Sequence, residues 1–277
     1  MSATATTGID RIAQAFTASA KQAALMPYLM GGYPTLAESV RIGEACVGAG
    51  ADLLELGVPY SDPLADGPVI HEAGTRALAA GASIAGVLEV ARALSPSAPV
   101  VLMCYANMVF APGAEEFVER LAQTGASGLI VPDLPFEEAP AVLAACDAKG
   151  IALVPLVAPT TPPERLAQIG RRARGFLYTV SVVGTTGERA ALADRFADIV
   201  AHAKASTEVP VALGFGISTP AHAAQAAQAG ADGVIVGTRL VRAAGESSDP
   251  SRAVGEVVAE LAAALRGRPA SGVDGLL

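Results

Sequence analysis

The stretch Ala51-Asp52-Leu53-Leu54-Glu55-Leu56-Gly57-Val58-Pro59-Tyr60-Ser61-Asp62-Pro63-Leu64-Ala65-Asp66-Gly67-Pro68 reads as a strand that breaks into a loop. Leu53 to Leu56 has the apolar character of a strand covered on both faces, where the run is otherwise almost unbroken. Glu55 interrupts it. A carboxylate in such a place is costly unless it is paired, solvated or neutralised by a raised pKa. Two readings follow: a catalytic acid facing the mouth of a barrel, or a structural Glu bonded to backbone or to an Arg. The loop after it, rich in Pro, Asp and Gly, is long enough to fold back over Glu55.

Working outward, apolar runs suited to strands recur at 26–31, 52–57, 99–104, 128–132, 151–157, 175–180, 210–214 and 233–236. Helical periodicity fills the intervals: 35–49, 69–80 with 84–95, 114–124, 137–149, 163–171, 191–205 and 219–229, then 238–245 and 250–266. Strands alternating with helices argue a parallel sheet, and 277 residues suit one α/β domain of (β/α)8 type, a TIM barrel spanning 1–266. Residues 8–23 read as an extra N-terminal amphipathic helix able to plug the closed end. A short helix from Thr238 follows the last strand. The tail 267–277 is polar and breaker-rich, and disorder is expected there. Gly50-Ala51-Asp52, Gly125-Ala126-Ser127 and Gly230-Ala231-Asp232 echo one another where a helix stops and the next strand begins.

The connections after the second and sixth runs are the longest. Surplus length in a barrel goes into loops at the C-terminal mouth, where active sites are built. That marks 58–68 and 181–190.

Composition limits the partners. Net charge is −8, and no Lys/Arg cluster is dense enough to grip nucleic acid. The three cysteines, Cys46, Cys104 and Cys146, lie apart among apolar residues and read as reduced thiols, without zinc spacing. No apolar run approaches a membrane span and the N-terminus lacks a secretory pattern, so a cytoplasmic protein is expected. His71, His202 and His222 fall on helical runs with no ligand spacing, and solvated positions are expected for them; no metal site is expected.

Glu55 and Asp66 form a candidate carboxyl pair, because carboxyls in different environments separate in pKa and divide acid–base roles. In isolation Asp66-Gly67-Pro68 also reads as a turn and helix start. Gly214-Phe215-Gly216-Ile217-Ser218 and Gly237-Thr238 close the seventh and eighth runs. Such glycines let backbone N–H groups approach an anion, and a helix starting at Thr238 aims its positive end at the same point. The alternative is two tight turns with no ligand. Ser181 to Arg189 reads as a lid or as a plain surface loop. Tyr105 suits stacking on a planar substrate, and Asn107 and Asp133 suit supporting hydrogen bonds.

Residues 54–68 resemble the signature of tryptophan synthase alpha chains. Tyr105-Ala106-Asn107, Asp133-Leu134-Pro135, Gly184 with Thr186-Gly187, Gly214 to Ser218 and Gly237-Thr238 match in the same order, over roughly residues 8–266. The resemblance implies a lyase that cleaves indole-3-glycerol phosphate to indole and glyceraldehyde 3-phosphate in tryptophan biosynthesis. It implies no cofactor in this chain and a pyridoxal-phosphate beta chain as partner, in an α2β2 heterotetramer under allosteric control. By motif position Glu55 is similar to the family's acid–base and Asp66 to its second carboxylate. Tyr28, Tyr105, Tyr178, Thr186 and Phe215 would contact substrate. Gly187, Gly216, Gly237 and Thr238 would cradle phosphate, and Pro59 and Asp62 would face the beta chain. Val182, Val183, Thr185, Glu72 and Gly74 depart from the pattern. A free-standing indole producer, a non-catalytic partner-activating paralogue and another phosphosugar barrel are the competing readings; the last would call for a strand-borne Lys that is not visible.

Overall fold

A computed structural model describes residues 6–180, 189–214 and 216–266, with 189–195 described by their backbone alone. Among them the strands are β1 (Ala24–Met30), β2 (Leu54–Gly57), β3 (Val100–Met103), β4 (Gly128–Ile130), β5 (Ala152–Val154), β6 (Leu156–Val157), β7 (Leu177–Val180), β8 (Val211–Gly214) and β9 (Gly233–Val236). All pair in parallel, in the order β5-β4-β3-β2-β1-β9-β8-β7-β6. This is the expected barrel, with one refinement. The single run expected over 151–157 is two strands, divided at Pro155, which has no N–H to give a ladder. Its carbonyl still accepts from the Tyr178 N–H at 3.0 Å, so β6 carries the ladder on to β7.

Helices cover the outside: α1 (Gly8–Ala18), α2 (Leu36–Gly48), α3 (Pro68–Ala79), α4 (Ile84–Leu94), α5 (Ala106–Phe110), α6 (Ala114–Ala122), α7 (Pro140–Lys149), α8 (Pro163–Arg172), α9 (Arg189–Lys204), α10 (Pro220–Gln228), α11 (Thr238–Glu246) and α12 (Pro250–Leu265). The short α5 was not expected; five residues are too few to show a helical period. α1 is shorter than the 8–23 expected. Thr7 and Asp10 cap it reciprocally, and the chain turns extended at Ser19 to enter β1.

α1 does plug the closed end. Ile12 is fully buried, in one cluster with the inward residues Met26, Leu53, Val101, Ile130 and Phe176. Glycines make the room: a Cβ on Gly128 or Gly175 would stand 3.3 or 3.2 Å from Ile12 Cδ1. The echoed Gly-Ala-Asp phrases also share a task. Asp52 accepts the Leu25 N–H at 2.6 Å and pairs with Lys21 at 2.9 Å. Asp232 accepts the Val211 N–H at 2.8 Å and pairs with Lys204 at 2.8 Å. Each carboxylate supplies an acceptor where a strand begins and the ladder has none.

Candidate active site

The site is assembled by strand register. Tyr28 on β1 stands opposite Glu55 on β2, and both face the barrel interior. Gly57, two residues on, shares that face because side chains alternate along a strand. The Tyr28 ring lies against it: a Cβ on Gly57 would stand 2.7 Å from Tyr28 Cζ. The arrangement repeats across the barrel, where a Cβ on Gly214 of β8 would stand 2.5 Å from the Tyr178 ring of β7. Two strand-end glycines thus let two tyrosines lean sideways and leave the centre open. The result is a cavity of about 280 Å³ at the C-terminal mouth, lined by Tyr28, Glu55, Asp66, Tyr178, Gly216, Gly237 and Thr238 among others.

Glu55 is 1% exposed, and neither of its carboxyl oxygens has a hydrogen-bond partner. The structural reading of this residue, a Glu bonded to backbone or to an Arg, is therefore not what the fold contains. Burial, helped by the nearby negative charge of Asp66, pushes its pKa up to about 8. Asp66 is half-buried. Burial also raises its pKa, but hydrogen bonding from Tyr105 and the charge of His71 oppose the rise. The two carboxyls thus occupy the unlike environments that separate acid from base. Burial, with both carboxylates close by, holds the Tyr28 hydroxyl well above its ordinary pKa, and burial and Glu55 do the same for Tyr178.

Across the mouth, Gly216 adopts φ +82°, a conformation that favours glycine. α11 starts at Thr238 with Gly237 as its cap and directs its N-terminus at the cavity. Arg239, next to Thr238, is turned away: it donates to the Ser218 carbonyl at 3.0 Å and pairs with Glu260 at 2.7 Å.

Several expected positions differ. Tyr105 does not line the cavity. Its ring packs on Tyr60 with centroids 5.0 Å apart, and its hydroxyl accepts the Ala65 N–H at 3.0 Å, so it holds the Asp66 loop from behind. Pro59 is buried under the loop near Gly74 rather than presented outward. Asp62 is exposed and accepts from the Ser61 hydroxyl at 2.5 Å. Asp133 accepts the Ala106 N–H at 2.8 Å, the supporting role expected of it, whereas Asn107 is exposed. His71 and His202 are exposed as expected, but His222 is half-buried, with Nδ1 enclosed and unpartnered. Thr186, Gly187 and Phe215 lie outside the described residues, as do Val182, Val183, Thr185 and the tail 267–277. Among the described residues no group of three or more His, Cys, Asp or Glu could hold a metal ion. No single described helix is long and apolar enough to cross a membrane.

Ile217 and Ser218, from the glycine-rich end of the seventh run, also line the cavity, as do Ile70, Met103 and Ile235, which the sequence reading does not single out. Ile235 could have been found, since it lies two residues before Gly237 on one face of β9. Ile70 is set by how α3 leans over the mouth, which no local pattern reports.

Fold and site together define a (β/α)8-barrel enzyme with a carboxyl pair in an apolar mouth cavity. The model of the tryptophan synthase alpha chain family matches residues 15–267. A tryptophan synthase alpha chain of Gloeobacter violaceus is 48% identical over 236 residues, covering 84% of this chain and 86% of that one. One from Methanosarcina mazei is 46% identical over 241 residues, 87% and 88% of the two chains. Among solved structures, Mycobacterium tuberculosis tryptophan synthase superposes with a TM-score of 0.85 at 40% identity, covering 93% of this chain and 99% of that one. The alpha subunit from Legionella pneumophila gives 0.85 at 36% identity, covering 94% and 99%. The chain belongs to the tryptophan synthase alpha chain family.

Proposed function

We infer that the chain is the lyase that cleaves indole-3-glycerol phosphate to indole and glyceraldehyde 3-phosphate by a retro-aldol reaction. The observation that carries this reading is Glu55, a buried and unpartnered carboxyl whose pKa of about 8 keeps it protonated at neutral pH, facing a cavity of about 280 Å³. Protonated Glu55 gives its proton to the ring carbon that bears the glycerol chain. Positive charge then develops on the indole nitrogen, and ionised Asp66 stabilises it. The carbon–carbon bond breaks, its electron pair returns to the ring, and the adjacent hydroxyl loses its proton to Glu55 as the aldehyde forms. One proton enters and one leaves, so Glu55 ends as it began.

Tyr28 and Tyr178 bound the indole-sized space, with Thr186 and Phe215 expected to complete it. Gly216, Gly237 and Thr238, with Gly187, hold the phosphate by N–H groups and the α11 dipole, which suits a chain carrying a net charge of −8. Tyr105 acts by fixing the Asp66 loop. No cofactor is needed in this chain, and pyridoxal phosphate belongs to the beta chain. The partner meets the mouth side of an α2β2 assembly in the cytoplasm. Asp62 is exposed there, two residues from Leu64 (86% exposed), while Pro59 shapes the loop from below.

The test is release of indole from indole-3-glycerol phosphate, with and without an added beta chain. Release that depends on Glu55 supports the reading, and faster release with the beta chain supports the assembly. No release in either case would overturn it.

A further inference from the structure

If Glu55 is the acid–base, its carboxylate has no hydrogen-bond donor among the described residues at the moment it has given up its proton. A buried carboxylic acid needs few partners, but a buried carboxylate needs donors for both oxygens. The described groups that face it come from three elements. Asp66, on the loop after β2, carries the same charge. Tyr178, on β7, lies against Gly214 and has Glu55 as its leading charged neighbour, but it is not the strand neighbour of Glu55. Tyr28, on β1, is the neighbour directly opposite in the strand register. Met103 on β3 lines the same cavity and offers no donor. Tyr105 and His71 are directed at Asp66.

Tyr28 is held for such a task. Its ring is pressed over Gly57, next along the same face of β2 after Glu55. Gly237 on its other flank stands close to the first atoms of the side chain, where a Cβ would lie 3.3 Å from Tyr28 Cβ. The backbone on both sides is therefore bare of side chain, and the phenol tip rests on the Glu55 strand, on the mouth side of the carboxyl.

We propose that the Tyr28 hydroxyl donates a hydrogen bond to the Glu55 carboxylate each time Glu55 releases its proton, and so sets how readily that proton moves. Tyr28 is then a positioning residue acting through Glu55, and the proposal rests on the acid–base reading of Glu55 for its catalytic consequence. A hydrogen bond to the charged form favours ionisation. Removing it must therefore raise the Glu55 pKa further.

The experiment is a carboxyl 13C NMR titration of the full chain labelled at glutamate, with the Glu55 signal assigned by its loss in Glu55→Gln. In Tyr28→Phe the Glu55 midpoint should rise by about half a unit or more, and Tyr178→Phe should move it less. In parallel, kcat for indole release in Tyr28→Phe should fall about tenfold, with KM nearly unchanged. A Glu55 midpoint that stays put in Tyr28→Phe would overturn the proposal. If the midpoint moves and cleavage does not, the hydrogen bond stands and the acid–base reading of Glu55 falls instead. Should Tyr28→Phe fold poorly, 3,5-difluorotyrosine at position 28 keeps the shape and strengthens the donor. It should lower the Glu55 midpoint, and an unchanged value there would equally sink the idea.

Discussion

Gly57 and Tyr28 are complementary: a Cβ on the glycine would stand 2.7 Å from the tyrosine Cζ, and nearer still to the hydroxyl. The glycine ends β2, and the ring occupies the space its missing side chain leaves. Gly57→Ala must push the Tyr28 ring into the cavity beside Glu55. We expect a stability loss of about 1–3 kcal/mol, the usual cost of overpacking, and a fall in indole release larger than that loss explains. Denaturant unfolding together with steady-state kinetics would check both. Wild-type kinetics in a protein destabilised by that amount would show that the ring position does not matter.

Glu55→Gln separates chemistry from fold. The amide keeps the shape and removes the proton transfer, so activity should drop by roughly 10²–10⁴-fold while the protein folds normally. Stability gives a second signature. The folded-state pKa of Glu55 is about 8 against an ordinary 4.5, so the folded chain holds the proton over that window and the unfolded chain does not. The contribution is fully present below pH 4.5 and is lost as pH rises through about 8. Wild type should therefore lose stability relative to Glu55→Gln between those limits, measured by urea melts at several pH values. Parallel pH curves for the two proteins would mean that Glu55 titrates normally.

The same value governs the rate. Protonated Glu55 is the active form, so indole release should decline as pH rises past about 8. On the acid side the limb belongs to Asp66, which must be ionised and whose pKa is itself raised by burial. Asp66→Asn should remove the acid limb and leave the alkaline one. Loss of the alkaline limb in that variant would assign the proton donor to Asp66.

Much of this was legible in the chain. Glu55 is conspicuous because a charged residue interrupts a run that is otherwise apolar, and the eight strand-like runs follow from alternation with helical periods. The division of the fifth run at Pro155 was legible in principle, since Pro lacks the ladder N–H, but the apolar run masks it. What local pattern does not contain is direction. Tyr105 reads as a stacking residue because it ends a strand, yet the turn into α5 swings it onto Tyr60 and behind the Asp66 loop. Pro59 reads as loop surface, and the fold of 58–68 buries it. Both depend on how a loop closes over the barrel, which no spacing in sequence records.

Tyr105 yields a prediction that distinguishes support of the loop from contact with substrate. Its hydroxyl accepts the Ala65 N–H at 3.0 Å and also hydrogen-bonds Asp66. Tyr105→Phe keeps the ring against Tyr60 and removes both bonds, at a cost of about 0.5–1.5 kcal/mol each in the folded chain. With its hydrogen bond gone, Asp66 should take up its proton at a higher pH, because that bond favours the charged form. The acid limb of the rate profile should therefore move upward while KM for indole-3-glycerol phosphate changes little. A large rise in KM with an unmoved acid limb would mean that Tyr105 touches the substrate directly, and the loop-holding role would have to be abandoned.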